Sequence, residues 1–202
     1  MSTQDEQDAV AGEDDAIVAA TRRWIERAVI GLELCPFARA PFVQDRVRIR
    51  VSHARDAETL AADLQVEAEL LASGDAARIE TTLLVHPHVF ADFLDYNDFL
   101  DVADALLVDL ELEGVLQVAS FHPDYRFADA EADAVENCSN RSPFPTLHLL
   151  REASIERAVE LMPDTDAIYL RNIQTLRTLG HEGWRALWNE APPPIPESRE
   201  SD

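Results

Sequence analysis

The chain contains no lysine, and all 17 of its basic residues are arginines, against 39 acidic residues. A lysine amine is needed for Schiff-base chemistry, for pyridoxal-phosphate enzymes built on it, and for the phosphate-binding P-loop. The missing lysine therefore excludes these three classes of protein. Glycine is also scarce, with six residues that nowhere form a GxGxxG loop, so the usual NAD-binding cradle is excluded as well.

Cysteine and long apolar runs are rare too. Cys35 and Cys138 lie far apart in the sequence, and we expect both to be free thiols in a reducing compartment. No stretch approaches the roughly 20 apolar residues of a membrane helix. The N-terminus has neither the positive charge nor the apolar core of a signal peptide. These absences predict a cytoplasmic protein.

The charge of the chain restricts its partners. Its formal net charge is −22, which would repel the phosphates of nucleic acid and the surface of an anionic membrane. The arginines are scattered and form no basic stripe. We therefore expect no nucleic acid and no membrane as a partner, and we consider a small anionic ligand only where arginines are concentrated locally.

The composition predicts one domain with two tails. A chain of 202 residues, 47% of them hydrophobic, suits a single core. Residues 1–13 are small and acidic, and residues 191–202 combine prolines with charge, so we expect both segments to be disordered. The domain is expected over residues 14–190, and its first helix is expected to end at Pro36.

Hydrophobic periodicity predicts an α/β fold. Two helical segments separate the first three of four predicted strands, and a long loop precedes the fourth. Helical crossovers of this length are right-handed and join parallel strands. We therefore expect a four-stranded, mainly parallel sheet in the order βαβαβ, long loop, β, with further helices at both ends of the chain. The predicted strands are Arg46–His53, Thr81–His86, Val115–Phe121 and Thr146–Arg151.

A histidine stands where each of the first three strands ends: His53 and His86 close the first two, and His122 directly follows the third. In open α/β sheets, ligands bind beyond the carboxyl ends of the strands. Neutral imidazoles that meet there could bind zinc, iron or another divalent metal, or transfer protons. We take His86 and His122 as the candidate metal ligands. The alternative is that polar residues are simply common where strands leave the core.

The loop between the third and fourth strands is rich in hydrogen-bond donors. Arg141 stands between Asn140 and Ser142, and Asn137 precedes them. A guanidinium can bind a carboxylate or phosphate through two hydrogen bonds. This pattern predicts a pocket for a small anion. The alternative is that the amides and the hydroxyl satisfy the backbone of turns while Arg141 pairs with an acid.

Three further residues require a choice between roles. His148 lies inside the fourth strand and would act as acid or base with His122 if the two faced each other, or be a hydrogen-bonded core residue if they did not. Cys35 lies near the C-terminal end of the first helix, whose dipole raises a thiol pKa. We interpret it as part of a buried helix stop rather than a nucleophile. Nothing but its proximity to Arg141 favours reactivity of Cys138.

Four segments resemble an uncharacterised bacterial family, the domain-of-unknown-function family numbered 1415. The resemblance covers most of the chain outside the tails and implies a known kind of domain without implying an activity. The segments are WIERAVIGLELCPFA (24–38), ETTLLVHP (80–87), QVASFHPDYRF (117–127) and NRSPFPTLHLLRE (140–152).

Two hypotheses follow for the function. The first is an enzyme, metal-assisted or not, that binds an anionic metabolite through Arg141 and its neighbours and uses His122 and His148 in catalysis. The second is a non-catalytic binding or interaction module. Convergence of His122, Arg141 and His148 on one pocket would favour the enzyme, whereas buried and fully paired side chains would favour the module.

Overall fold

A computed structural model describes residues 3–161 and 165–188. Its elements, in chain order, are α1 (Thr3–Trp24), a π-helix (Ile25–Ile30), α2 (Arg39–Val43), β1 (Val47–Val51), α3 (Ala57–Ser73), β2 (Thr81–Val85), α4 (Phe93–Asp109), β3 (Leu116–Phe121), a 3₁₀ helix (Val135–Asn140), β4 (Thr146–Arg151), α5 (Glu152–Leu161) and α6 (Thr165–Ala186).

Disordered tails are predicted at both ends of the chain, and the structure describes most of the first and none of the second. Helix α1 begins at Thr3, so residues 3–13, for which the composition predicts a disordered tail, continue the helix backbone. The tail predicted for residues 191–202 lies outside the described residues.

The α/β fold is confirmed, and its sheet is mixed rather than mainly parallel. The strand order is β1-β2-β4-β3. Strands β1 and β2 are parallel, while β4 is antiparallel to both β2 and β3. Strand β4 lies between β2 and β3, so these two strands do not pair with each other. Since β2 and β3 both oppose β4, the first three strands still point the same way.

The sheet separates two groups of helices. On one face, Leu84, Leu147 and Leu149 pack in a buried cluster with α3 and α4. On the other face, Leu83 and Phe121 pack with Trp24, the π-helix and the end of α6. This alternation follows from the strand period of two, which sends neighbouring side chains to opposite faces.

Aspartate side chains begin the two crossover helices. Asp56 accepts a hydrogen bond from the backbone N–H of Thr59, and Asp92 accepts bonds from Leu94 and Asp95. Such caps satisfy backbone N–H groups that have no partner inside the helix. Nowhere in residues 3–161 or 165–188 is a helix both long and apolar enough to span a bilayer.

Candidate functional site

The predicted catalytic pair, His122 and His148, does not come together. Ala119 pairs with His148 across the sheet, and Phe121 pairs with Thr146. Residues paired in this way project to the same face, so His148 shares its face with Phe121, while the next residue, His122, projects to the other. The rings confirm this division, because His148 contacts Phe121 and His122 contacts Tyr96 on α4.

His122 is buried, with both ring nitrogens occupied. Its Nδ1 accepts a hydrogen bond from the backbone N–H of Asp124 at 3.0 Å, and its Nε2 lies 3.1 Å from the carbonyl oxygen of Phe90. The neutral ring with the proton on Nε2 satisfies both contacts. Burial lowers the pKa of His122. Neither nitrogen is free to bind a metal or substrate in this arrangement.

His86 lies beside His122 under α4, and Tyr96 contacts both rings, with centroids 5.6 and 5.2 Å away. Nδ1 of His86 lies 3.2 Å from the carbonyl oxygen of Val89, and its buried Nε2 has no hydrogen-bond partner among the described residues. Burial lowers the pKa of His86 to about 4. No group of three or more His, Cys, Asp or Glu side chains in the described parts of the chain could hold a metal ion.

His148 has a partner inside the sheet. The hydroxyl of Thr81 donates to the carbonyl of Leu149 at 2.6 Å and lies 2.7 Å from Nε2 of His148. Since the hydroxyl has a single proton, Nε2 donates to it. Burial lowers the pKa of His148 to about 4. The contacts of His148 match the core-residue alternative.

Three of the predicted anion ligands instead hold the loop in shape. Asn137 is fully buried; its amide nitrogen donates to Glu131, and its oxygen accepts from the backbone of Phe127. Asn140 donates to the carbonyl of Ser120, and Ser142 donates to that of Phe144. Amides and hydroxyls commonly stabilise turns in this way. The turn-satisfying alternative therefore describes their contacts.

Arg141 behaves differently. Its Nε donates to the carbonyl of Tyr125 at 3.3 Å, and its Nη2 donates to that of Ala132 at 3.0 Å. Among the described residues, no carboxylate lies within ion-pair distance of Arg141. The loop therefore holds the guanidinium in position but leaves its charge uncompensated.

Arg141 lines a cavity of about 410 Å³ at the carboxyl end of β3, which we call the arginine cavity. A second arginine, Arg23 of α1, also lines it and is likewise without a carboxylate partner in the described chain. The remaining walls are Ala20, Trp24, Pro123, Ser142, Pro143, Trp184 and Trp188.

A second cavity, of about 380 Å³, is lined by Phe121 and is mainly apolar. Cys35 lines it, together with Glu136, Ser139, Asn140 and Asn172. The Cys35 thiol lies near the backbone N–H groups of Phe37 and Ala38, which lower its pKa, but burial has the larger effect and raises it. The Cys35 thiol is therefore mainly protonated near neutral pH, which agrees with the interpretation that it is not a nucleophile.

Cys138 packs in the interior with Leu34 and Leu176. Burial raises its pKa more than the nearby Arg141 lowers it. Its thiol is therefore protonated near neutral pH and enclosed, which makes it a poor nucleophile.

Sequence reasoning missed Arg23 and the tryptophans. Trp24, Trp184 and Trp188 are the three tryptophans of the chain, and all of them line the arginine cavity. The spacing of four between Trp184 and Trp188 could have indicated one face of a helix. Nothing local in the sequence connects that face with Arg23 or Arg141.

The fold and the cavity define an α/β domain with an arginine- and tryptophan-lined pocket beside a mixed sheet. A family model described as "Protein of unknown function (DUF1415)" matches residues 16–186, and the chain belongs to this family. Neither a curated protein nor a solved structure matches the chain.

Proposed function

We propose that this protein is a binding domain for a small anionic molecule, which it holds in the arginine cavity without catalysing a reaction on it. The observation that carries the proposal is the guanidinium of Arg141, fixed by two loop carbonyls and free of any described carboxylate partner. Fixed guanidinium groups bind carboxylates and phosphates through two hydrogen bonds.

The arrangement of the histidines favours binding over catalysis. His122 is enclosed and fully hydrogen-bonded on the α4 face, and His148 is bonded to Thr81 on the opposite face. Neither of them lines the arginine cavity. An acid or base must lie within hydrogen-bond reach of the proton that it moves, and no histidine meets that condition in the described cavity.

The overall charge makes the local charge of the cavity significant. With a net charge of −22, the protein repels anions on average, so an anionic ligand needs a site where positive charge dominates. Arg23 and Arg141 supply two such charges around one cavity. We therefore expect binding that weakens as salt screens these charges.

The test measures thermal stability with small carboxylates and phosphates added to the wild type and to variants. A ligand that binds only the folded protein raises the melting temperature. We expect at least one of these anions to stabilise the wild type, and Arg23→Ala and Arg141→Lys to weaken that effect. Arg126→Ala is the matched control, because Arg126 is an exposed arginine of the same loop that does not line the cavity.

Equal stabilisation of the wild type and both cavity variants would overturn the proposal, as would no stabilisation by any anion of the panel. Arg23→Ala should fold like the wild type, because the exposed side chain of Arg23 makes no hydrogen bond or ion pair in the described structure. Loss of binding in Arg23→Ala therefore cannot be attributed to a collapsed loop.

We further propose that residues 14–190 form one folding unit in the cytosol. The match of a single family model over residues 16–186 supports one unit. The two free cysteines support a reducing compartment.

A further inference from the structure

We infer that the ligand of the arginine cavity is an aromatic ring that carries a carboxylate or phosphate group. This inference rests on the proposed function and names the class of ligand. It comes from the juxtaposition, around one cavity, of two arginines without carboxylate partners and all three tryptophans of the chain.

The two tryptophans contributed by the C-terminal part of the chain form a corner. The rings of Trp184 and Trp188 are 5.6 Å apart between centroids and meet at 83°. A flat ring placed in such a corner can stack on one indole while presenting its edge to the other, and these are the two preferred geometries of aromatic pairs. A corner of this kind accepts a planar ring better than a puckered one of the same size.

The third tryptophan forms a rigid wall. Trp24 is 2% exposed, and its ring meets Phe121 edge to face at 5.0 Å. It directly precedes the π-helix, a widened helical turn that is often found at functional sites. Because Arg23 is the residue before Trp24, a positive charge and an aromatic surface come from the same turn of α1.

The loop that follows β3 supplies the second charge. Arg141 is held by the carbonyls of Tyr125 and Ala132, and Pro143, two residues further on, lines the same cavity. The volume of about 410 Å³ falls within the range of about 300 to 1,000 Å³ for small-molecule pockets. One ring with one anionic group can therefore contact the indoles and a guanidinium together.

The experiment compares benzoate with cyclohexanecarboxylate by isothermal titration, with tryptophan fluorescence as the second readout. Both molecules carry one carboxylate on a six-membered ring, and only benzoate is flat. We expect benzoate to bind about threefold or more tightly, from the usual strength of aromatic pairs. A second pair, adenosine monophosphate and ribose 5-phosphate, differs only in the adenine ring. Comparing the two pairs shows whether the preferred ring is that of a nucleotide or that of a simple aromatic acid.

Variants of the aromatic corner complete the test. Trp188→Leu should remove the preference for benzoate over cyclohexanecarboxylate, whereas Trp188→Phe, which keeps a ring, should retain most of it. Both variants should still bind the two carboxylates through the arginines. The phenylalanine variant also protects the test if the leucine variant fails to fold.

The outcomes separate this inference from the proposed function. The inference would be overturned, and anion binding left intact, by equal, arginine-dependent affinity for benzoate and cyclohexanecarboxylate together with equal affinity for adenosine monophosphate and ribose 5-phosphate. Binding that is unchanged in Arg23→Ala and Arg141→Lys would instead overturn the proposed function, whatever the preference between rings.

Discussion

The polar side chains under α4 and those of the arginine cavity lie on opposite faces of one sheet and differ in their partners. Under α4, the hydroxyl of Tyr96 donates to the carbonyl of Thr146 and accepts from the N–H of Phe121, and His122 is bonded at both nitrogens. Across the sheet, Arg23 and Arg141 have no carboxylate partner within the described chain.

This difference indicates which polar groups stabilise the fold and which remain available for a ligand. A buried polar group that loses its partner destabilises the protein strongly, whereas an exposed arginine contributes little to stability. We therefore expect changes under α4 to act on the free energy of unfolding. In the arginine cavity, a change of the exposed Arg23 should act mainly on binding, whereas Arg141 also holds its loop.

The largest effect should come from acidification. Burial lowers the pKa of His86 to about 4 from its ordinary 6.5. Between pH 6.5 and pH 4, His86 therefore binds a proton in the unfolded chain but stays neutral in the folded protein. Stability is therefore fully present above pH 6.5 and falls as the pH decreases toward 4. The loss due to His86 should reach about 3 kcal/mol, measurable by urea unfolding at a series of pH values.

His86→Phe tests the origin of that loss. Phenylalanine preserves a ring against Tyr96 but cannot be protonated. The slope of unfolding free energy against pH should fall by about 1.4 kcal/mol per pH unit between pH 4.5 and 6. A slope remains, because the pKa of His148 is also lowered. An identical slope in the variant and the wild type would contradict the assignment to His86.

Tyr96→Phe should produce the next largest effect. The change removes only a buried hydroxyl, and it leaves the carbonyl of Thr146 and the N–H of Phe121 without this partner. We expect a loss of about 2 kcal/mol in unfolding free energy. Tyr125→Phe is the matched control, since no hydrogen bond of the Tyr125 hydroxyl is present among the described contacts, and it should change stability by less than about 0.5 kcal/mol.

The local elements could be predicted from the sequence, whereas their pairing could not. Alternating apolar residues predict β4 at Thr146–Arg151, where the structure has it. The insertion of β4 between β2 and β3 depends on contacts across the sheet, which no local pattern encodes. The parallel direction of β1 and β2 was predictable because a helical crossover joins them.

The same limit explains the outcome for the candidate site. Ala119 pairs with His148, so these two side chains share one face of the sheet, and His122, three residues after Ala119, projects to the other face. This register is not visible in the sequence. The loop sequence made Arg141 a candidate anion ligand, and this role stays a prediction. Its neighbours Arg23 and Trp184 were not candidates, because the fold alone brings these distant segments to one cavity.

Arg141→Met should have a moderate effect on stability. The side chain bridges the carbonyls of Tyr125 and Ala132 and so joins two parts of the loop. We expect its loss to reduce the unfolding free energy by about 1 to 2 kcal/mol, as measured by urea unfolding. Arg126→Ala, in the same loop, should change it by less than about 0.5 kcal/mol. Equal effects of the two changes would show that Arg141 does not hold the loop.

The smallest effect on stability should come from Arg23→Ala, because this change should weaken anion binding and leave the fold almost unchanged. Its side chain is exposed and without a described hydrogen bond or ion pair, so unfolding free energy should change by less than about 0.5 kcal/mol. Affinity for an anion that binds the wild type should nevertheless fall about two- to fivefold, the range of an exposed charge pair. That difference should shrink as salt rises, because an exposed charge is screened within about 10 Å at 0.1 M salt. If Arg23→Ala lowered stability without lowering affinity for the anion, Arg23 would belong to the fold and not to a binding site.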